Sequence, residues 1–102
     1  MAQTIGILVR SDEYFPHLLK FCRAAFEKGC RVLVFFSGRG VLLTQEQEFP
    51  ALLDTATPYV CEVSYRANGL QGVEVPGVGF KQFVTQARNA EMIAESDRYL
   101  VF

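Results

Sequence analysis

The sequence has few of the residues that build metal centres and disulfide frameworks. It contains one histidine and three cysteines, and no two of the cysteines form a Cys-x-x-Cys pair. Structural zinc sites combine several such residues at close spacing, so a metal site is not expected. In a chain expected to be cytosolic, three cysteines also argue against structural disulfides. We therefore expect no metal, no organic cofactor, and thiols that act one at a time.

The chain also lacks a strong charge of either sign. Ten Lys and Arg residues oppose eleven Asp and Glu residues, which gives a formal net charge of −1. The basic residues are scattered along the chain, whereas nucleic-acid-binding domains concentrate them on one face to meet the phosphate backbone. No nucleic-acid partner is expected.

Long hydrophobic runs are missing as well. The longest are residues 5–9 (Ile-Gly-Ile-Leu-Val) and 32–36 (Val-Leu-Val-Phe-Phe), far below the ~20 residues that span a bilayer. Residues 1–4 lack the charged start and the apolar stretch of a signal peptide. These features predict a cytoplasmic chain with no membrane partner.

Apolar and aromatic side chains are plentiful. Half of the 102 residues are hydrophobic, and nine residues are Phe, so we expect one domain over residues 1–102 with a buried core. Because a small domain has little interior, part of the aromatic surface is expected to pack against another subunit. The residues expected at that interface fall at the ends of predicted elements: Phe15, Phe49, Tyr59 and Tyr65.

Hydrophobic periodicity predicts alternating strands and helices. Residues 3–10 and 31–37 are almost continuously apolar, which is typical of strands covered on both faces. Between them, apolar residues at helical spacing predict a helix that Gly29 closes. The remaining predicted elements are a helix from Thr44 through Leu53, a strand at 57–63, a short helix from Ser64 to Gly69, a short strand at 73–75, a helix at 79–94 and a strand at 98–102. This order predicts a Rossmann-like, three-layer α/β/α sandwich with a mostly parallel sheet of about five strands.

Cys61 is the candidate catalytic residue. It ends the strand-like run 58–61 and precedes a predicted helix, and ligands bind at the carboxyl ends of strands in open α/β sheets. The first N–H groups of that helix would stabilise a thiolate there. A thiol with an ordinary pKa near 8.5 is only about 3% ionised at pH 7, and a pKa one unit lower raises this fraction to about 24%. The alternative is a core cysteine packed inside the third strand, and strand alternation does not decide between the two.

Three further residues are candidates for binding substrate or stabilising the thiolate: Arg10, Arg39 and Ser64. Each arginine follows a buried strand at its carboxyl end, where a guanidinium would favour a thiolate and attract an anionic sulfur species. The alternative is that each arginine is a solvated charge at a strand end. Ser64 lies three positions after Cys61 and begins the predicted helix.

The other reactive side chains are interpreted as structural. Cys22 lies on the apolar stripe of the first helix, and Cys30 precedes the second strand at the opposite edge of the sheet. His17 has no second histidine or cysteine pair to work with. Segments 37–40 and 76–79 match neither glycine-rich phosphate-binding motif and are interpreted as turns.

With its elements and Cys61 in this order, the chain resembles the DsrE/DsrF-like family, which includes the TusD-type sulfur-relay proteins. The resemblance covers most of the chain, from the first strand and helix to the closing segment 96–102. Its most specific part is Val-Cys-Glu-Val-Ser at 60–64 with Asn-Gly-Leu at 68–70, and residues 29–36 and Gly40-Val41 add to it. The family implies a parallel α/β/α sandwich, a sulfur-accepting cysteine after the third strand, and trimers or hexamers, sometimes with related subunits.

Carried over to this chain, the resemblance gives Cys61 the role of sulfur acceptor. It implies a sulfurtransferase-like persulfide carrier that takes sulfane sulfur from a donor protein and passes it to an acceptor protein. The alternative is a non-catalytic DsrE-like subunit or a small-ligand binding module, in which Cys61 is structural. A homo-oligomer, either a trimer or a hexamer, or an assembly with related subunits, is expected.

Overall fold

Five strands pair in one direction to form a single sheet. The structure is a computed structural model that describes residues 3–102; Met1 and Ala2, with which the predicted domain begins, lie outside the described residues. The strands are β1 (Thr4–Val9), β2 (Arg31–Phe36), β3 (Thr57–Cys61), β4 (Phe83–Val84) and β5 (Arg98–Val101). They lie in the order β4-β3-β2-β1-β5, and all neighbours are parallel. The predicted α/β fold is therefore confirmed.

Helices cover both faces of the sheet. The α-helices are α1 (Phe15–Glu27), α2 (Phe49–Leu53), α3 (Glu62–Ala67) and α4 (Gln86–Glu95), and 3₁₀ turns span Gly38–Gln45 and Phe80–Gln82. Parallel strands need crossover connections, because the chain has to return to the amino end of the sheet before each new strand. No helix among residues 3–102 is long and apolar enough to cross a membrane.

The two faces of the sheet are unequal. On the first, alternate strand residues such as Ile7 and Val34 pack with α1, α2 and the first 3₁₀ turn in a cluster of eighteen buried residues. On the second, the buried cluster has four members, namely Leu33, Phe35, Cys61 and Met92. Met92 comes from α4, which connects β4 at one edge of the sheet to β5 at the other. The face that carries Cys61 is therefore the thinner one.

The prediction of one helix over residues 79–94 is wrong. Phe83 and Val84 form β4 instead, and pair with Val60 and Cys61 of β3. Aromatic and β-branched residues suit a strand, and the pairing with β3 overrides the helical spacing that surrounds them. Helix α4 begins only after Thr85, whose Oγ1 accepts a hydrogen bond from the Ala87 N–H at 3.3 Å.

Three other predicted boundaries are also wrong. The strand predicted at 73–75 is reduced to an isolated antiparallel bridge between Val75 and Val78, across the turn at Pro76-Gly77. The third strand ends at Cys61 rather than at residue 63, because α3 begins at once. One helix was predicted from Thr44 through Leu53. Thr44 and Gln45 instead end the first 3₁₀ turn, and only Phe49–Leu53 forms an α-helix, α2.

Gly40 provides a test of how closely the chain packs after β2. It is buried, and a Cβ added there would overlap the carbonyl group of Val9 in β1, which is backbone and has little freedom to move. We expect Gly40→Ala to lower the free energy of unfolding by about 1–3 kcal/mol, the usual effect of overpacking. Urea denaturation followed by circular dichroism measures it.

The matched control is Gly79→Ala. Gly79 has a φ of −81°, and the nearest atom to its added Cβ lies 3.8 Å away, so this substitution should change stability little. Equal destabilisation by the two substitutions would contradict the steric explanation.

Candidate functional site around Cys61

Cys61 is the last residue of β3 and lies directly before α3. Its backbone is extended, with φ −68° and ψ 113°, and its side chain points to the α4 face of the sheet with those of Leu33 and Phe35. Only 4% of the residue is exposed. The thiol therefore lies on the thinner face of the sheet, close to its carboxyl edge. The sequence alone had left open which face it occupies.

Hydrogen-bond donors surround the thiol. The Gln86 Nε2 atom donates to the Cys61 Sγ atom at 3.4 Å, and the Ser64 side chain and the backbone N–H groups of Ser64 and Val63 also act on it. Burial works to raise the pKa of the Cys61 thiol, but these hydrogen bonds favour the thiolate and together hold the pKa below its ordinary value. The site thus favours the nucleophilic thiolate more than the surroundings of an ordinary thiol do.

The Ser64 hydroxyl is held in place to serve as a donor. Its Oγ atom accepts a hydrogen bond from the Gly38 N–H at 2.9 Å, which leaves the hydroxyl proton free for the Cys61 sulfur. Asn68 Nδ2 reinforces the arrangement by donating to the Gly38 carbonyl at 3.1 Å and to the Ser64 carbonyl at 2.8 Å. Helix α3 and the turn after β2 are therefore tied together beside the thiol.

Gln86 is a site residue that sequence reasoning missed. Its Nε2 atom donates to the Ser37 Oγ atom at 3.0 Å as well as to Cys61, so it joins the ends of β2 and β3. The sequence placed residue 86 inside a long helix. A signal was present in the strand-forming pair Phe83-Val84 followed by the capping residue Thr85, which together put Gln86 at the carboxyl edge of the sheet.

Neither predicted arginine is among the groups that act on the Cys61 thiol within the described residues. Arg39 Nη2 instead forms a salt bridge with Asp12 Oδ2 at 2.9 Å, and the hydrogen bond from Arg39 lowers the pKa of that carboxyl group. Arg10 is exposed just beyond β1, and its N–H donates to the Phe102 carbonyl at 2.9 Å. Of the three candidate stabilisers, the structure brings Ser64 to the sulfur.

The other two thiols have different surroundings. Cys22 is fully buried in α1, and burial raises the pKa of its thiol to about 12, so it stays protonated near neutral pH. Cys30 is half-buried and borders a shallow groove with Phe26 and Asp54 at the amino end of the sheet. Cys61 is therefore the thiol whose surroundings favour the thiolate.

The described residues contain no cluster of three or more His, Cys, Asp or Glu side chains that would hold a metal ion. A surface groove lies between α1 and residues 46–48, and is lined by Phe15, Leu19 and Arg23. Cys61 does not line it, so the thiol and this groove are separate features.

Comparison with protein-family models gives no match for this chain, and comparison with curated proteins gives none either. The geometry around Cys61 therefore has to support any function assigned to the chain.

Ser64→Ala tests the source of the thiolate. Loss of the hydroxyl donor should raise the pKa of Cys61 and slow its alkylation by iodoacetamide several-fold at pH 7, because a hydrogen bond to an ionised sulfur is lost. Mass spectrometry of the Cys61 peptide over a range of pH measures both quantities. Ser11→Ala is the matched control, since the Ser11 Oγ atom accepts from the Glu13 N–H and takes no part in the site. An unchanged pH profile in Ser64→Ala would remove Ser64 from the site.

Proposed function

We propose that this chain is a sulfur-relay protein that carries sulfane sulfur as a persulfide on Cys61. The proposal depends on one observation: several hydrogen-bond donors act on the Cys61 sulfur and lower the pKa of this thiol although it is buried. A structural thiol needs no such donors, as Cys22 illustrates with its raised pKa. The resemblance to the DsrE/DsrF-like family in segments 60–64 and 68–70 supports the same role and, with it, a cytoplasmic location.

The chemistry needs two displacements at sulfur. The Cys61 thiolate attacks the terminal sulfur of a donor persulfide, R–S–SH; the S–S bond of the donor breaks, and R–S⁻ leaves with the bonding electron pair. Cys61 then carries –S–SH. An acceptor thiolate attacks that terminal sulfur in turn, and the Cys61 thiolate leaves. The outer sulfur moves without net oxidation or reduction, so the transfer requires no metal or organic cofactor.

The surroundings of Cys61 suit both of its roles, as the nucleophile in the first step and as the leaving group in the second. Leaving is faster for a thiol of lower pKa, and the donors from Ser64, Val63 and Gln86 stabilise the thiolate that departs when sulfur is passed on. The same groups raise the fraction of thiolate available for the first attack. One set of hydrogen bonds therefore serves both steps.

The direct test is sulfur uptake. We expect the protein, incubated with glutathione persulfide, to gain the mass of one sulfur atom on the Cys61 peptide, and Cys61→Ser to gain none there. Iodoacetamide should label Cys61 well before Cys22 in the folded protein, because Cys22 is both buried and protonated. Absence of sulfur on Cys61 in the wild-type protein would refute the proposal.

A second candidate function has one observation in its favour. The 4% exposure of Cys61 suits a packed side chain in a non-catalytic DsrE-like subunit or a small-ligand binding module. The same experiment separates the two candidates, because a purely structural Cys61 stays unlabelled by iodoacetamide while the protein is folded.

The residues predicted at a subunit interface need correction. Phe15, Phe49 and Tyr65 are 6%, 1% and 4% exposed and belong to the large core cluster, and Tyr59 is half-buried under the Arg88 guanidinium, 4.5 Å from its ring centroid. Phe15 and Phe49 fall at helix starts that face the sheet, where their rings stack on each other at 6.4 Å.

Other apolar residues support an assembly. Phe80 is 82% exposed, Val101 59% and Ile93 48%, and apolar side chains this exposed can be buried by another subunit. Val101 pairs in register with Leu8 of β1 and so lies on the thinly covered α4 face. We propose that the chain forms a homo-oligomer, a trimer or hexamer, or assembles with related subunits.

Light scattering tests the assembly. We expect a mass about three or six times the 11.5 kDa of one chain, and Val101→Lys should lower that mass because it places a charge on the proposed interface. A monomer at micromolar concentration would contradict the proposal. The matched control is Val73→Lys, which alters a residue that is 41% exposed in the turn after α3 and should leave the mass unchanged.

A further inference from the structure

Gln86 contacts the Cys61 sulfur from outside α3, and it is an exposed residue. The other groups that act on the thiolate, from Ser64 and Val63, belong to α3, which the Gly38 N–H holds in place through the Ser64 Oγ atom. Gln86, by contrast, is exposed and begins α4. Since Cys61 itself is only 4% exposed, the Gln86 side chain connects an exposed residue to a buried sulfur.

The Gln86 amide occupies space that a persulfide needs. Its Nε2 atom lies 3.4 Å from the Cys61 Sγ atom, and a second sulfur bonded to Sγ would stand about 2.0 Å from it. Sulfur arriving from the Gln86 side would therefore come within about 1.4 Å of the amide nitrogen, less than any non-bonded contact allows. The amide has to leave before sulfur arrives by that route.

Two hydrogen bonds hold the amide in place, and one atom makes both. Nε2 carries two protons, and it donates one to Cys61 Sγ and the other to Ser37 Oγ at 3.0 Å. Both bonds break when the side chain rotates about its own torsions, and water is available at once to replace them because Gln86 is exposed. The closed position is therefore favoured, and the open one remains accessible.

We propose that Gln86 is a removable cover on Cys61, held shut by Ser37, that stabilises the thiolate at rest and swings aside for each sulfur transfer. The proposal rests on the proposed persulfide function for its purpose, but its geometry concerns the thiol alone. It makes Gln86 a regulator of access: the closed side chain shields the thiolate from solvent reagents, and a docked donor meets the sulfur once the amide has moved.

No charged side chain on this face competes with Gln86 for the thiol among the described residues. Arg88 of α4 is engaged by Tyr59, Glu91 and Glu95, and none of these is among the groups that shift the pKa of Cys61. A change in that pKa on substitution of Gln86 therefore reports the amide itself.

The test separates the two roles of Gln86. Alkylation of Cys61 by iodoacetamide, followed peptide by peptide across pH, gives both the pKa and the limiting rate constant of the full thiolate. Gln86→Ala should raise the pKa, because a donor is lost, and should also raise the limiting rate constant at least about fivefold, because one net hydrogen bond corresponds to about that shift in a closed-to-open equilibrium and two hold the amide closed. Gln71→Ala, an exposed glutamine in the turn after α3, should change neither.

Ser64→Ala is the control for intrinsic reactivity. A thiolate of higher pKa is a better nucleophile, with a Brønsted coefficient of about 0.4–0.5, so the measured change in pKa gives the part of any rise in Gln86→Ala that has this origin. Ser64→Ala, which also releases the Gly38 N–H, checks that relation while Gln86 and Ser37 are both present. Ser37→Ala supplies an independent variant: it frees the amide from its anchor while the thiol keeps its donors, so the limiting rate constant should rise with little change in the pKa. A limiting rate constant in Gln86→Ala no higher than its change in pKa accounts for would overturn the proposal.

Sulfur uptake from glutathione persulfide is measured on the same variants. If the wild-type protein takes up sulfur but Gln86→Ala and Ser37→Ala alkylate no faster, the carrier function stands and the cover fails. If both variants alkylate faster but no protein takes up sulfur on Cys61, the cover stands and the carrier function fails.

Discussion

Parallel pairing of the strands is the constraint on which the rest of this structure depends. Because all five strands run the same way, every carboxyl end lies on one edge, and residues far apart in sequence meet there. Ser37 after β2, Cys61 at the end of β3 and Gln86 after β4 become neighbours through this constraint alone. The hydrogen bond from Gly38 to Ser64 then fixes the turn after β2 against α3.

Most of the fold follows from local patterns in the sequence. The strands at 4–9 and 31–36 were predictable because continuous apolar runs of this length need cover on both faces, and α1 because its apolar residues recur on one stripe. The region from 73 to 85 was not predictable in this way. Its two-residue strand β4 exists because Val84 pairs with Cys61, a long-range pairing that no short window of sequence contains.

The site, like the fold, was predictable where it depends on a short segment of sequence and not where it depends on long-range pairing. Cys61 and Ser64 lie within one short segment, so a strand followed by a helix start was enough to place them together. Gln86 required knowledge of β4 and was missed. The two arginines lie beyond the carboxyl ends of their strands as expected, but position at an edge does not decide where a long side chain points, and Arg39 reaches Asp12 instead. Side-chain pairing of this kind is settled by packing and not by sequence spacing.

Helix α4 has a consequence for the way in which the molecule opens. It crosses the sheet as a single layer and buries only Met92 completely among residues 86–95, whereas the opposite face holds eighteen buried residues within the part of the chain that the structure describes. Segments with few buried apolar contacts detach at low free energy, ahead of global unfolding. Partial opening of this domain would thus lift α4 away and expose Cys61 while the α1 side stays folded. Thiol chemistry at Cys61 under mild stress would then report this local detachment and not loss of the whole fold.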